Sequence, residues 1–269
     1  MSGIKDPCEI LDEVIDLAQD AGRRIMQFYK QDVNIEHKED LTPLTAADMA
    51  SHNAIVAGLS VLTPDIPVIS EESAGIPFEE RARWDCYWLV DPLDGTREFI
   101  KHNGEFTVNI ALIRNHQPVL GVIFVPVNGL CYYACDEQGA FKQERDSLPV
   151  PIHVRPYDPQ HRVVAGSRSH HSDKMDEFLT NLGKHMLVNM GSSLKSCLVA
   201  EGKVDIYPRF GPTSEWDTAA AHCIVEQAGG VLTDLQMNPL RYNTKESLLN
   251  PSFLVIGDTR HEWAVYLPR

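Results

Sequence analysis

The stretch that decides the fold and the site of this chain is Trp88-Leu89-Val90-Asp91-Pro92-Leu93-Asp94-Gly95-Thr96. Its apolar beginning predicts a buried strand that delivers Asp91 and Asp94 to a sharp turn. Pro92 fixes the chain after the first aspartate and Gly95 permits a tight turn, so both carboxylates can face one point. The Leu93 carbonyl between them is a natural further ligand, and such hard oxygen ligands hold Mg²⁺ beside a phosphate. The stretch therefore predicts a metal-dependent phosphatase.

Two more acidic residues stand where predicted elements end or begin. Glu71 follows the apolar segment Pro67-Val68-Ile69-Ser70, and Asp217 lies in Glu215-Trp216-Asp217-Thr218-Ala219-Ala220. We expect all four acidic side chains to converge at one sheet edge. Two other readings stay open, because an aspartate before a glycine is a common turn residue and Asp217 could cap a helix that begins at Trp216 or Asp217.

Transfer of the phosphoryl group to an aspartate is a competing chemistry for such a motif. Haloacid-dehalogenase-like phosphatases use Asp-x-Asp-x-Thr, in which the second aspartate comes two residues after the first. Here residue 93 is Leu, and Asp94 lies three residues after Asp91. This register favours direct attack by a water molecule that metal ions activate.

Length and composition limit the class of protein. With 269 residues, of which 43% are hydrophobic and 23% charged, the chain is predicted to form one large globular domain or two closely packed ones. No apolar stretch approaches the roughly 20 residues of a membrane helix, and the first residues lack the basic-then-apolar order of a signal peptide. We expect no integral membrane segment and a cytoplasmic location, with peripheral attachment to the cytoplasmic face of the inner membrane left open.

The charge balance limits the partners. The 24 basic and 38 acidic residues give a formal net charge of −14. A chain this acidic lacks the positive field that nucleic-acid backbones require, so we expect no nucleic acid as partner. A small anionic substrate remains compatible, because metal ions and a few basic side chains can reverse the sign of the field locally.

Cysteines and histidines give no metal prediction of their own. The 6 cysteines are sparse, at positions 8, 86, 131, 135, 197 and 223, and are expected to be reduced and mostly buried thiols. The 11 histidines show no convincing ligand spacing. A zinc site is therefore not predicted.

Hydrophobic periodicity divides the chain near residue 150. Residues 1–150 are predicted to form an α+β half with an antiparallel sheet and most of the metal ligands, and residues 151–269 an α/β half with the substrate-binding segments and Asp217. The predicted helices cover 8–29, a segment from Thr45 that stops before Thr63-Pro64, 173–183, 192–202 and 217–228. The predicted strands cover 67–70, 87–90, 106–113, 119–127, 130–134, 163–165, 204–207, 231–232 and 253–256.

Three segments, in this order, resemble the signatures of the inositol monophosphatase superfamily: Glu71-Glu72-Ser73, Asp91-Pro92-Leu93-Asp94-Gly95-Thr96 and Trp216-Asp217-Thr218-Ala219-Ala220. Thr45-Ala46-Ala47-Asp48 is similar to the family's upstream Thr-x-x-Asp. The resemblance runs from about residue 8 to about residue 257. It implies a layered α-β-α-β-α sandwich, dependence on Mg²⁺ and sensitivity to Li⁺.

The resemblance also implies two or three Mg²⁺ ions and a set of ligands for them. The residues that match ligands of the first two ions are Glu71, Asp91, Leu93 through its carbonyl, Asp94 and Asp217, with Glu72 for a weaker third ion. Asp91 would serve both of the first two ions. One ion would make hydroxide available near neutral pH, and the other would stabilise the departing sugar oxygen.

The matching catalytic residues are Asp48, Thr96 and Glu71. Thr96 and Asp48 would orient and deprotonate the attacking water. The segment from Thr45 to Asp48 also has the pattern of a capping box, an ordinary helix start, and the two roles are compatible.

Residues away from the metals indicate which phosphate is removed. Where inositol monophosphatases carry an acidic residue, this chain has Arg209, and a guanidinium suits a second anionic group better than a neutral polyol. Gly191-Ser192-Ser193-Leu194-Lys195, Ser167-Arg168-Ser169-His170 and the segment 101–109 resemble the 3′(2′),5′-bisphosphate nucleotidases of the bacterial CysQ type. The residues expected to contact substrate are Gly95, Thr96, Ser167, His170, Ser192, Lys195, Arg209 and Asp217.

The sequence thus predicts a Mg²⁺-dependent enzyme that hydrolyses adenosine 3′,5′-bisphosphate to AMP and phosphate, a reaction linked to sulfate assimilation. Two alternatives stay open. One is an inositol or sugar monophosphatase, and the other is a protein that senses a nucleotide without turning it over. The expected partner is a small nucleotide bisphosphate, and the expected assembly is a monomer or a homodimer.

Overall fold

The computed structural model describes residues 6–29, 43–168 and 172–268. Within these residues the α-helices are α1 (Leu11–Tyr29), α2 (Pro43–Leu62), α3 (Phe78–Arg81), α4 (Thr96–Ile100), α5 (Asp173–Leu182), α6 (Leu194–Ala200) and α7 (Glu215–Gln227). Short 3₁₀ helices cover Pro7–Ile10, Glu71–Ser73 and Trp263–Tyr266. None of the helices in these residues has the length and apolarity that a membrane crossing requires.

The strands form two sheets. The first sheet contains β1 (Val68–Ser70), β2 (Cys86–Asp94), β3 (Thr107–Arg114), β4 (Gln117–Val125), β5 (Leu130–Cys135), β6 (Gly139–Gln143) and β7 (Val150–Ile152), in that spatial order. The second sheet contains β8 (Val163–Ser167), β9 (Met186–Met190), β10 (Ile206–Arg209), β11 (Val231–Asp234) and β12 (Phe253–Ile256), in the order β11-β12-β10-β8-β9.

Alternating side chains of β2 explain how the first sheet is covered on both faces. Tyr87 and Leu89 point to one apolar cluster, while Trp88 and Val90 point to the other. Because successive residues of a strand face opposite sides, a continuous apolar run such as this one belongs to a strand that is buried on both faces. The run predicted as a buried strand is therefore confirmed.

Three apolar clusters fill the four boundaries between five layers, and the central cluster covers two of them. The first joins α1 and α2 to one face of the first sheet, and the second joins the other face to α6, α7 and the second sheet. The third covers the outer face of the second sheet, where Phe178 and Leu182 of α5 pack with Trp263. The predicted α-β-α-β-α sandwich is confirmed. The boundary near residue 150 stays a prediction, since the central cluster draws on both halves.

Several local predictions need correction. α2 begins at Pro43 and not at Thr45, and β2 continues through Asp94 instead of ending before the aspartates. The register against β3 shifts between Asp91 and Asp94, so an irregularity within a strand, not a turn after it, aims the two carboxylates. In the first sheet, β1 pairs with β2 in parallel, while β2 to β7 pair antiparallel as expected.

Three strands were missing from the predicted set: β6, β7 and β9. All three are short, and β7 and β9 lie at sheet edges, where exposed side chains leave no clear alternation to detect. The expectation that all cysteines are reduced is also wrong, because Cys8 and Cys135 form a disulfide across 127 residues of sequence. The thiols of Cys86, Cys131, Cys197 and Cys223 are free.

Candidate metal and phosphate site

A cavity of about 300 Å³ opens where β2, the turn before α6 and the beginning of α7 meet. Most of the residues predicted from sequence line it: Glu71, Asp91, Leu93, Asp94, Gly95, Thr96, Ser167, Ser192, Lys195, Arg209 and Asp217. Asp48 and Glu72 are not among the lining residues. His170 lies outside the described residues.

Three carboxylates converge on one side of this cavity. Asp91, Asp94 and Asp217 each offer an oxygen, and these oxygens all lie within 4.8 Å of one another. Asp91 is 1% exposed, and its Oδ1 accepts a 3.0 Å hydrogen bond from the backbone N–H of Leu93. The side chains that the sequence placed 126 residues apart therefore meet at one point, as expected.

The pKa values of all three carboxylates are raised, so the negatively charged forms are destabilised at this point. Burial raises the pKa of Asp91 well above its ordinary value, and the charges of Asp94 and Glu71 raise it further. Burial, followed by the charge of Asp94, raises the pKa of Asp217 to about 7. Burial also raises the pKa of Asp94, although Lys195 opposes that shift. A divalent cation would relieve this repulsion, so the residues present fit a hard metal ion.

A second acidic group lies beside the first. Burial raises the pKa of Asp48 to about 8, and the charges of Glu72 and then Glu71 add to the shift. The buried Oδ1 of Asp48 has no hydrogen-bond partner. Glu71 lies exposed at the rim, yet partial desolvation, followed by the charge of Asp94, raises its pKa as well. Asp48 therefore lies close to Glu71 and Glu72, although its side chain does not line the cavity.

The beginning of α7 shows that Asp217 takes part in capping this helix and also lies in the aspartate cluster. The helix begins at Glu215, earlier than predicted, with Ser214 as its N-cap. Oδ2 of Asp217 accepts a 2.8 Å hydrogen bond from the Ser214 backbone N–H and completes a capping box. The same carboxylate belongs to the aspartate cluster. The cap therefore restricts the orientation of a carboxylate that belongs to the cluster.

The turn between β9 and α6 supplies residues whose contacts were not predicted. The Ser193 backbone N–H donates a 2.6 Å hydrogen bond to Oδ2 of Asp94. The Ser193 hydroxyl lies 2.9 Å from Oγ1 of Thr107 and 3.1 Å from Oδ1 of Asn109. The segments that contain these residues were recognised by resemblance, but nothing in the sequence shows that they meet.

Two basic side chains also line the cavity. Lys195 is 5% exposed, its Nζ donates to the Ser192 carbonyl at 2.6 Å, and it lies 5.2 Å from the ring centroid of Tyr207. Burial lowers the pKa of Lys195 to about 8, against the opposing effect of Asp94, and Arg209 lowers it further. Arg209 donates through Nη2 to the Pro212 carbonyl at 3.2 Å, and its buried Nε has no partner.

Two aromatic residues complete the wall beside these cations. Tyr207 and Phe253 both line the cavity, with ring centroids 5.9 Å apart in an edge-to-face arrangement. Neither was selected from sequence. Tyr207 comes two residues before Arg209 on β10, so the strand alternation would have placed both side chains on one face.

The fold and the carboxylate cavity define a metal-dependent class of phosphatase, and comparison with known proteins gives the family. A model described as the inositol monophosphatase family matches residues 6–264. The chain belongs to the inositol monophosphatase family, whose phosphatases are metal-dependent.

Named relatives lie within this family. The 3′(2′),5′-bisphosphate nucleotidase CysQ of Salmonella typhimurium is 51% identical over 248 residues, which are 91% of this chain and 99% of the relative. The CysQ protein of Escherichia coli K12 is 49% identical over the same shares of the two chains.

Solved structures agree with this placement. The structure of CysQ from Bacteroides thetaiotaomicron has a TM-score of 0.84 and 42% identity, and covers 93% of this chain and 97% of its own. An inositol monophosphatase from Zymomonas mobilis has a TM-score of 0.74 and 25% identity, with 93% and 94% covered.

Proposed function

We propose that this protein is a Mg²⁺-dependent 3′(2′),5′-bisphosphate nucleotidase that converts adenosine 3′,5′-bisphosphate to AMP and phosphate. One observation supports this most strongly. A single cavity is lined by the cluster of Asp91, Asp94 and Asp217 and by two basic residues, the buried Lys195 and the half-buried Arg209. Such a cavity suits a substrate with two anionic groups, one at the metals and one at the basic side chains.

The metal ions would be held by the carboxylates that gather at the cavity. In this proposal Asp91, Asp94 and Asp217 hold the central charge, and Glu71 and the Leu93 carbonyl add oxygens from the cavity wall. Glu72 would serve a weaker third ion. When bound, Mg²⁺ supplies Lewis-acid stabilisation of the phosphate and of the leaving oxygen.

Two further residues near the carboxylates, Thr96 and Asp48, would orient and deprotonate the attacking water. Thr96 lines the cavity at the first position of α4, and Asp48 lies beside Glu71 and Glu72. In the proposed reaction Thr96 orients the water and Asp48 accepts its proton. The pKa of Asp48 near 8 lies close to the pH at which a general base works best.

The basic residues Lys195 and Arg209 would select the substrate. Lys195 is buried at the cavity wall, where a second phosphate would restore the pKa that burial lowers. Arg209 occupies the place of the acidic residue of inositol monophosphatases, so it favours an anion over inositol hydroxyls. Ser167 and Ser192 line the same part of the cavity and would contact the nucleotide. The cytoplasmic location, the monomeric or dimeric state and the role of His170 stay predictions.

A direct comparison of substrates tests the proposal. Phosphate release is measured from adenosine 3′,5′-bisphosphate and from inositol 1-phosphate, with Mg²⁺ present and then with the metal chelated. We expect the bisphosphate to be preferred in kcat/KM and release to stop on chelation. A preference for the inositol ester would overturn the assigned role of Arg209, and release that survives chelation would remove the carboxylates from the mechanism.

A further inference from the structure

Glu105 lies just outside the cavity wall, and its carboxylate accepts three hydrogen bonds. Arg168 binds it through two parallel bonds, Nη2 to Oε1 at 2.7 Å and Nε to Oε2 at 3.0 Å. Oε2 also accepts a 2.7 Å hydrogen bond from the backbone N–H of Gly191. The Arg168 guanidinium donates in addition to the Asn189 carbonyl at 3.0 Å. Glu105 thus ties the end of β8 to the turn that follows β9.

The backbone of this turn is closely packed and strained. A Cβ atom on Gly191 would lie 2.6 Å from Cγ of Glu98 and 2.8 Å from the Glu105 carbonyl oxygen, so only glycine fits. Ser192 has a φ of 45°, a left-handed conformation that a residue with a side chain adopts only when its surroundings hold it there. Glu105 accepts a hydrogen bond from the backbone N–H of Gly191, the residue immediately before Ser192.

The same turn contacts two residues of the proposed site, Asp94 and Lys195. The Ser193 N–H donates to Oδ2 of Asp94 at 2.6 Å, and the Ser192 carbonyl accepts from Nζ of Lys195 at 2.6 Å. A shift of this turn would therefore change the orientation of a carboxylate of the cluster and the position of a buried cation together. Partners of metal ligands commonly control metal affinity in this way.

We propose that Glu105 is a positioning residue, which holds the turn 191–193 against Asp94 through its bond to the Gly191 backbone N–H. The inference rests on the proposed function only in taking Asp94 as a metal ligand. Arg168 orients the Glu105 carboxylate through the two parallel bonds and is not among the residues that line the cavity.

Titration of the chelated, purified protein with Mg²⁺ alone, in a calorimeter and without substrate, tests this role. Glu105→Gln removes one acceptor oxygen and the charge, whereas Glu105→Asp keeps the charge but is one methylene too short to reach both Arg168 and Gly191. We expect both variants to bind Mg²⁺ roughly tenfold more weakly. Arg168→Gln leaves the bond to Gly191, so we expect a change of less than about threefold by the same reasoning.

The set of variants separates positioning from simple charge. If Glu105 acted only through its negative charge, Glu105→Asp would bind Mg²⁺ like the unmodified protein and Arg168→Gln would bind it more tightly. Either result would overturn the proposal. Glu13→Gln, an exposed carboxylate on α1, is the control for loss of one charge. Thermal unfolding in chelator checks that each variant folds, and unchanged Mg²⁺ affinity with a lowered melting temperature would leave Glu105 a merely structural role.

Kinetics supply a second readout. At saturating Mg²⁺ we expect kcat of Glu105→Asp to recover, while the Mg²⁺ concentration for half-activation rises by the same factor as the binding constant. Because the titration contains no phosphate ester, it is independent of which substrate the enzyme prefers. Weak Mg²⁺ binding by the unmodified protein would reject the proposed metal site, whereas normal binding by both Glu105 variants would reject only the positioning role.

Discussion

The backbone N–H of Ser193 donates a 2.6 Å hydrogen bond to Oδ2 of Asp94, across 99 residues of sequence. This bond joins a turn of the second half of the chain to the aspartate motif of the first. Asp94 therefore has one oxygen fixed by the protein, which restricts how the carboxylate can face Asp91 and Asp217. The geometry of the acidic cluster depends on residues that lie far from it in sequence.

Replacing Asp91 by Asn should abolish turnover and stabilise the chelated protein. The change removes a carboxylate that is 1% exposed and surrounded by like charges, so the repulsion within the cluster decreases. It also removes a metal ligand, and we expect the Mg²⁺ affinity to fall by more than the roughly 10–100-fold that the loss of a ligand's partner causes. Phosphate release and thermal unfolding in chelator measure the two effects. Asp85→Asn, at an exposed position, is the control; turnover by Asp91→Asn at the normal rate would contradict the proposed mechanism.

Without metal, the protein should become less stable as the pH rises. The pKa is raised from 3.8 to about 7 for Asp217 and to about 8 for Asp48, so the folded state holds more protons than the unfolded state between about pH 4 and 8. Stability falls with rising pH wherever the folded state binds more protons. Urea unfolding at pH 5 and pH 8 in chelator should show the loss, and saturating Mg²⁺ should reduce it. A chelated protein that is equally stable at both pH values would contradict the raised pKa values of Asp217 and Asp48.

Replacing Arg209 by Gln should weaken discrimination between substrates. A charge-assisted hydrogen bond contributes about 1.5–3 kcal/mol, so we expect KM for adenosine 3′,5′-bisphosphate to rise roughly 10–100-fold. KM for a 3′-monophosphate, which lacks the second anionic group, should change little. The ratio of kcat/KM for the two substrates measures the effect, with Arg24→Gln on α1 as the control. An equal loss for both substrates would indicate that Arg209 supports the fold of the cavity and does not read the second phosphate.

Reducing the bond between Cys8 and Cys135 should destabilise the protein without changing the site. The bond closes a segment of 127 residues and fixes the 3₁₀ helix at the beginning of the described chain to the end of β5. We expect the free energy of unfolding to fall by about 2–4 kcal/mol in Cys8→Ser. kcat and KM should stay within about twofold, because neither cysteine lines the cavity.

Counting thiols checks the bond itself. Alkylation of the denatured protein without reductant should modify four cysteines, Cys86, Cys131, Cys197 and Cys223. Alkylation after reduction should modify all 6. Six modified thiols without reductant would mean that the protein in solution lacks this bond.

Helices and strands could be predicted from the sequence where their apolar residues form a clear pattern. β12 was predicted with its observed bounds, Phe253–Ile256, because a short apolar run between turn residues has one reading. β9 was missed, since most of its side chains are exposed and its pairing with β8 depends on a partner strand that the sequence does not identify. The parallel pairing of β1 with β2 was missed for the same reason.

Some residues of the candidate site could likewise be selected from the sequence, and others could not. Asp91, Asp94 and Asp217 could be selected because they stand where apolar elements end or begin, in motifs that resemble those of a phosphatase family. Ser193 was recognised only as part of a resembling segment, and Tyr207 was not selected, although its spacing from Arg209 places both side chains on one face of the strand. Their part in the cavity appears only when β10 and the turn before α6 are brought beside the aspartates.

The sequence by itself determined the acidic motif and the continuous apolar run that buries β2 on both faces. These are local properties, fixed by residue type and by the period of the backbone. Only the tertiary structure decided that Arg168 binds Glu105, that Ser193 holds Asp94, and that Cys8 joins Cys135. Each of these contacts spans at least 63 residues, so it depends on how whole layers pack, which no local pattern encodes.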